Sequence, residues 1–318
     1  MSKKALITGI AGFAGSHLAE FLLAKKFAVS GIVLEKNNPN ISHLKGKISL
    51  EVCNLLEKDK VFKTIEKLEP NLIFHLAGFT IPRLSYDQPQ ESFKINVFGQ
   101  INILEAVRTL KLPTKILIVG SSEEYGIVKN PKKKVNENEP LNPVSPYAVS
   151  KIAQDFCALA YFQTYKMPIV RIRPFPHLGP RLDERLAVSS FAKQIALIEK
   201  GIQEKVIKVG NLKAKRDFTD VRDMVQAYSL AAEKCQPGEV YNIGFGRSLS
   251  LSQVLDILLS LSKAKIKVEV DPKLFRSADV PEIICDAEKF KKVTGWQPKI
   301  KIRETLKDTL NYWRARLR

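Results

Sequence analysis

The stretch Lys4–Leu23, KALITGIAGFAGSHLAEFLL, decides the fold. Ala5-Leu6-Ile7-Thr8 is a short apolar run of the kind that forms a buried strand. Gly9, Gly12 and Gly15 follow at G-x-x-G-x-x-G spacing, and from Ala14 the apolar positions Leu18, Phe21 and Leu22 turn helical. Strand, glycine-rich turn and helix in that order form the entry to a dinucleotide-binding unit. Gly9 permits a tight turn, Gly12 lets backbone N–H groups approach a pyrophosphate, and Gly15 lets the helix pack close to the strand. Phe13 and Ala14 complete that turn and join the expected cofactor contacts.

The segments that follow repeat the strand–helix alternation. Strands are expected at Ala28–Leu34, Ile48–Val52, Leu72–Leu76 and Lys115–Val119, with a long helix over Gln90–Leu110. That order predicts a parallel, doubly wound α/β sheet. The end of the second strand selects the cofactor, because an acid there bonds the adenosine ribose and a base accepts a 2′-phosphate. Here it reads Leu34-Glu35-Lys36-Asn37. Glu35 repels a 2′-phosphate and Lys36 attracts one; the balance favours NAD over NADP. Asn54 and Leu55 after the third strand are expected to face the adenine. Leu76, Ala77 and Gly78 after the fourth are small enough for the backbone to pass close to a cofactor. Asn96 is an unfavourable residue inside a helix unless its side chain is used, so it is expected to bond backbone at the sheet.

Chemistry is expected at the end of the fifth strand. Gly120-Ser121-Ser122-Glu123-Glu124-Tyr125-Gly126 places two hydroxyls and carboxylates at the carboxyl edge, where open parallel sheets bind ligands. After a polar loop, Ser145-Pro146-Tyr147-Ala148-Val149-Ser150-Lys151 opens a helix with Ser145 as N-cap and Pro146 at its first position. Tyr147 and Lys151, four apart, share one helix face. A nearby ammonium should bring the tyrosine's pKa down from its ordinary value of about 10, so that Tyr147 can pass a proton to or from a sugar oxygen held by Ser121.

T-G-x-x-G-F-x-G-S, H-L-A-G, the serine-rich strand end before E-Y-G, and S-P-Y-x-x-S-K resemble the extended short-chain dehydrogenase/reductases that act on nucleotide sugars. The resemblance covers essentially the whole chain. It implies a Rossmann doubly wound parallel sheet at 1–174, rejoined by late segments such as 218–247, and a smaller α/β substrate domain mainly in 175–318. It also implies catalytic roles for Ser121, Tyr147 and Lys151, a ribose contact from Lys151, and a cofactor contact near Pro174. Ser122, His177, Arg181, Val188, Arg216 and Arg276 are the implied substrate contacts, with Arg216 and Arg276 on the diphosphate. Relatives usually carry Asn where this chain has Pro176, and proline lacks that donor. His177 reads as a substrate contact or as a loop histidine with a structural hydrogen bond.

Within the family the strand-end motif and Arg216–Asp223 look most like GDP-6-deoxy-4-keto-mannose reductases, which make GDP-rhamnose. GDP-mannose 4,6-dehydratases are the competing reading, since Glu123 stands where they place a catalytic carboxylate; UDP- or dTDP-sugar epimerases and dehydratases follow. The family also implies a homodimer through the helices Gln90–Leu110 and Pro146–Tyr165.

Composition narrows the alternatives. Hydrophobic residues make up 45% of the 318, and no apolar run reaches the ~20 residues of a membrane span. Strand one begins too near the N-terminus for a signal peptide, and the four dispersed cysteines read as reduced thiols, so a cytoplasmic enzyme is expected. Neither cysteine nor histidine spacing suggests a metal site. The net charge of +18 is spread along the chain and does not cluster with aromatics as nucleic-acid binding would require. A nucleotide- or RNA-binding protein without turnover is the remaining non-enzyme reading, and such proteins usually lose the Tyr or the Lys. No nucleic acid and no membrane are therefore expected as partners.

Overall fold

The computed structural model describes residues 2–275 and 280–317. Arg276, expected on the diphosphate, lies outside the described residues. In chain order the elements begin β1 (Lys4–Thr8), α1 (Phe13–Ala24), β2 (Ala28–Val33), β3 (Ser49–Val52), α2 (Lys58–Leu68), β4 (Leu72–His75), α3 (Leu84–Asp87), α4 (Pro89–Phe93), α5 (Gly99–Thr109) and β5 (Lys115–Val119). They continue with α6 (Pro146–Tyr165), β6 (Ile169–Pro174), β7 (His177–Leu178), α7 (Ala187–Glu199), β8 (Val206–Val209), β9 (Lys215–Asp217), β10 (Thr219–Asp220) and α8 (Val221–Lys234). The last are β11 (Val240–Ile243), β12 (Ser248–Ser250), α9 (Leu251–Ser260), β13 (Lys267–Val270), α10 (Glu288–Thr294) and α11 (Ile302–Arg316).

Seven strands form one parallel sheet in the order β11-β6-β5-β4-β1-β2-β3. The strand order reverses beside β1, and that switch point is where ligands bind in open sheets. Period-two alternation splits β1 between two cores. Ala5 and Ile7 face a layer with Leu18 and Leu22 of α1 and Met224 and Tyr228 of α8. Leu6 faces the opposite layer, with Val61 and Ile65 of α2, Ile103 and Val107 of α5, and Ala158 of α6. A third cluster joins α7, α9 and α11 through Phe191, Ile195, Leu255, Leu258, Leu306, Leu310 and Trp313.

The expected helix Gln90–Leu110 is interrupted. Between α4 and α5, residues Lys94–Phe98 form a π-helical turn. Its cause is tertiary: Asn96 is fully buried, accepts from the Phe79 N–H at 2.7 Å and donates to Ser150 Oγ at 2.8 Å. The widened turn carries Asn96 to the loop after β4, where it holds the backbone.

Candidate active site

The glycine turn builds the first wall. Gly9 has φ +71°, and a Cβ there would lie 2.9 Å from the Ala77 backbone. At Gly15 a Cβ would run into the Gly9 carbonyl. Gly12 caps α1 with no side-chain acceptor and no acid in the first turn, leaving the first N–H groups and the positive helix end to an anion. These residues open onto a cavity of about 1000 Å³ along the carboxyl edge of the sheet.

The cavity brings together most of the expected residues. Glu35, Asn54 and Leu55 line one end; Gly9, Gly12, Phe13, Ala14 and Gly15 the middle, with Leu76, Ala77 and Gly78; Ser121, Ser122, Glu123, Tyr147, Lys151, Pro174 and His177 the other end, with Val188 and Arg216 beyond. Lys36 and Asn96 do not line it. Asn96 stands behind the wall, as its bond to Phe79 requires.

Ser121 caps a single 3-10 turn, Ser122–Tyr125. Its hydroxyl accepts from the Glu123 N–H at 3.1 Å, and its own N–H donates to Glu124 Oε1 at 2.7 Å. That reciprocal pair is a capping box and fixes the serine where the strand ends. Tyr147 is held by the cap of α6: Ser145 accepts from the Ala148 N–H at 3.1 Å, and the Tyr147 N–H donates to Ser85 Oγ at 3.0 Å. The Tyr147 phenol lies beside Ser121.

The electrostatics differ from the expected lowering of the Tyr147 pKa. Burial pushes the phenol up, neighbouring Ser121 opposes this, and the carboxylates of Glu123 and Glu124 add to the rise. Lys151 does not offset it, because its Nζ donates to the Val119 carbonyl at 2.9 Å and to Gln154 Oε1 at 2.8 Å. Burial pulls Lys151 itself down to about 8, with Glu124 opposing.

Beneath Ser121 lies a buried ionic layer. Arg173 donates to Asp155 Oδ2 through Nε at 3.0 Å and Nη2 at 2.6 Å, and its Nε lies 2.9 Å from Glu124 Oε2. Arg171 reaches the other Asp155 oxygen at 2.7 Å. Burial and the Asp155 charge push Glu124 up to about 8, against the pull of Arg173. Sequence reading singled out Glu123 and passed over Glu124, although Ser121-x-x-Glu124 is a readable capping-box signal.

Arg181 departs from its expected substrate role. In left-handed backbone at φ +74°, it turns to α1, binding Glu20 Oε1 at 2.6 Å, His17 Nδ1 at 2.6 Å and the Asn40 carbonyl at 3.2 Å. Those acceptors occupy the guanidinium, and it does not line the cavity. His17 is lowered to about 4 by burial first and by Arg181 second. Arg216 is buried and donates to the Lys215 and Val280 carbonyls at 2.8 and 2.6 Å while lining the cavity. His177 carries a structural bond to the Phe175 carbonyl at 3.2 Å and stacks on Phe13 at 5.5 Å, yet also lines the cavity. No helix among the described residues is long and apolar enough to cross a membrane.

The chain is similar to known proteins along its whole length. A family model described as GDP-mannose 4,6 dehydratase matches residues 6–309. GDP-6-deoxy-D-mannose reductase of Pseudomonas aeruginosa is 28% identical over all of this chain and 99% of its own length. The structure of RMD from the same organism complexed with NADPH superposes with a TM-score of 0.87 at 27% identity, covering 99% of this chain and all of that one. The NAD complex of UDP-glucose 4-epimerase from Thermus thermophilus gives 0.88 at 25% identity, covering 98% and 99%. With its glycine turn, its Ser121–Tyr147–Lys151 cluster and this match over nearly all its residues, the chain belongs to the GDP-mannose 4,6-dehydratase family of extended short-chain dehydrogenase/reductases.

Proposed function

We propose that the protein reduces the 4-keto group of GDP-4-keto-6-deoxymannose to give GDP-rhamnose. One observation carries the reading: a buried phenol, Tyr147, kept protonated by its surroundings and lying beside Ser121, stands in the cavity that the glycine turn opens onto. A phenol so placed is a proton donor, as a ketone reduction needs. Ser121 orients the carbonyl oxygen by a hydrogen bond, and Tyr147 gives that oxygen its proton. Lys151 holds the nicotinamide ribose and, once redirected by it, lends positive charge to the phenolate that remains. NAD(P) fits the site, because the cradle around Gly9 and Gly15 has no room for side chains and the first turn of α1 is uncapped. Its reduced form, when bound, would supply the hydride. Gly9, Gly12, Phe13, Ala14 and Gly15 would hold its pyrophosphate, and Glu35, Asn54 and Leu55 its adenosine. Glu35 on the cavity wall, with Lys36 off it, supports NAD over NADP.

Glu123 favours a second reading. It shares the cavity with Ser121 and is close enough to raise the Tyr147 pKa by its charge. A carboxylate there suits removal of the C5 proton and loss of the C6 hydroxyl, the GDP-mannose 4,6-dehydratase reaction. The purified protein is mixed with GDP-mannose alone, and separately with GDP-4-keto-6-deoxymannose plus NADH or NADPH, and the products are read by mass. A gain of two hydrogens on the keto sugar supports the reductase and names the cofactor. Loss of water from GDP-mannose without added cofactor replaces it with the dehydratase.

The same reading assigns the cofactor to 1–174 with 218–247 and the sugar mainly to the remainder of 175–318, with Ser122, His177, Val188 and Arg216 facing it. It also includes a cytoplasmic homodimer. Phe98 between α4 and α5, and Val149, Phe156 and Tyr165 on α6, are exposed apolar side chains on the two helices expected at that seam. Sedimentation equilibrium of the wild type reads the dimer directly.

A further inference from the structure

Tyr228 is a cavity residue with an unmatched hydroxyl. It lies on α8, seven residues from the start of that helix, and is fully buried. Helical side chains lean towards the helix N-terminus, which here carries the ring back to the carboxyl edge of the sheet. There it lines the cavity, edge-on to His177 with ring centroids 6.4 Å apart. His177 in turn stacks on Phe13 of the glycine turn. On the other side the Tyr228 phenol is near enough to Tyr147 to be raised by its charge, after burial. Among the described residues its oxygen has no hydrogen-bond partner.

A buried, unpaired hydroxyl costs stability. Phenylalanine would fill the same space without that cost. A ligand that accepts the hydrogen bond accounts for the oxygen. Its position limits which part of a ligand that is: it lies between Phe13, beside the pyrophosphate turn, and Tyr147, at the reacting end. Between those points a bound dinucleotide has its nicotinamide ribose and ring, and the ring carries a carboxamide whose oxygen is a strong neutral acceptor.

We propose that the Tyr228 hydroxyl is a positioning donor for the nicotinamide carboxamide, fixing which face of the ring is turned to the sugar. This rests on the reading that the cavity binds NAD(P). Tyr228 touches no reacting atom; it acts by holding the ring that delivers hydride.

The test is Tyr228→Phe, with three readings. Calorimetric titration compares NAD with ADP-ribose, which keeps the adenosine, pyrophosphate and one ribose but lacks nicotinamide; if the wild type takes only the 2′-phosphorylated cofactor, the phosphorylated pair replaces them. The expected result is NAD binding roughly tenfold weaker, ADP-ribose binding within twofold of wild type, and a melting temperature of the ligand-free protein that is unchanged or higher. Equal weakening of both ligands would place the hydroxyl on the pyrophosphate and overturn the proposal. Unchanged NAD affinity would overturn it too, as would a lower ligand-free melting temperature, which marks a purely structural hydroxyl. A wild type that binds neither ligand refutes the cofactor reading itself, a result visible before the variant is made.

Discussion

Replacing Lys151 by methionine isolates the cost of keeping a charged amine in the active site. Lys151 is 5% exposed, and burial brings its pKa from 10.5 down to about 8. The folded state therefore disfavours the charged form. This group's contribution is most favourable above the unfolded value of 10.5 and is lost as pH falls through about 8. With those two values, its contribution to stability rises by about 1 kcal/mol between pH 7 and pH 9. Methionine fills similar space and does not titrate. It leaves the Val119 carbonyl and Gln154 Oε1 without the amine. That loss costs roughly the same at both pH values and drops out of the comparison. Urea unfolding at the two pH values, followed by the fluorescence of buried Trp296 and Trp313, measures both proteins, with circular dichroism as a check on two-state behaviour. Relative to the variant, the wild type should gain about 1 kcal/mol of stability from pH 7 to pH 9. Parallel pH dependence, within about 0.3 kcal/mol, would refute the argument that burial strains the Lys151 charge.

Four further variants test the site. Tyr147→Phe should lower turnover by at least about a hundredfold with little change in cofactor affinity, and near-normal turnover would remove Tyr147 from the chemistry. Arg216→Ala should raise the Michaelis constant for the nucleotide sugar about tenfold or more, whereas Arg181→Ala should leave it unchanged and cost about 1–2 kcal/mol of stability by releasing Glu20 and His17. A substrate effect at Arg181, or none at Arg216, would reverse their assignment. Gly15→Ala should abolish measurable cofactor binding, since the methyl meets the Gly9 carbonyl and no rotamer change relieves a clash with backbone. Near wild-type affinity in a titration would show that the turn can shift.

Local rules carried the sequence reading where they determine structure. Lys115–Val119 and Pro146–Tyr165 stand as expected, because a β-branched run and a Ser-Pro start define them. The failures turn on side-chain partners that spacing does not reveal, most of them far along the chain. The π turn exists because Asn96 reaches Phe79 and Ser150. Arg181 is captured by an acid on α1, 161 positions away. Lys151 lies one turn from Tyr147, as helical spacing requires, but spacing does not reveal that Gln154 and Val119 compete for its ammonium. Glu123 and Glu124 are adjacent and chemically alike, and only the packing of β6 beneath them decides that Glu124 is the buried one.

The position of β11 sets an order of events at the ribosome. β6 pairs with β5 on one side and with β11 on the other, yet β11 is made about 70 residues after β6 ends. At roughly 5–20 residues per second, a nascent chain holds six of the seven strands for several seconds with the β6 edge unpaired. Over the same interval α8 is absent from the layer it shares with α1, so Ile7, Leu18 and Leu22 lack part of their cover. Such an edge is an invitation to pair with a neighbouring chain. A fragment stopping at residue 174 would keep the β6 edge permanently unpaired, so the smallest cofactor-binding fragment that completes the sheet must run through Ile243.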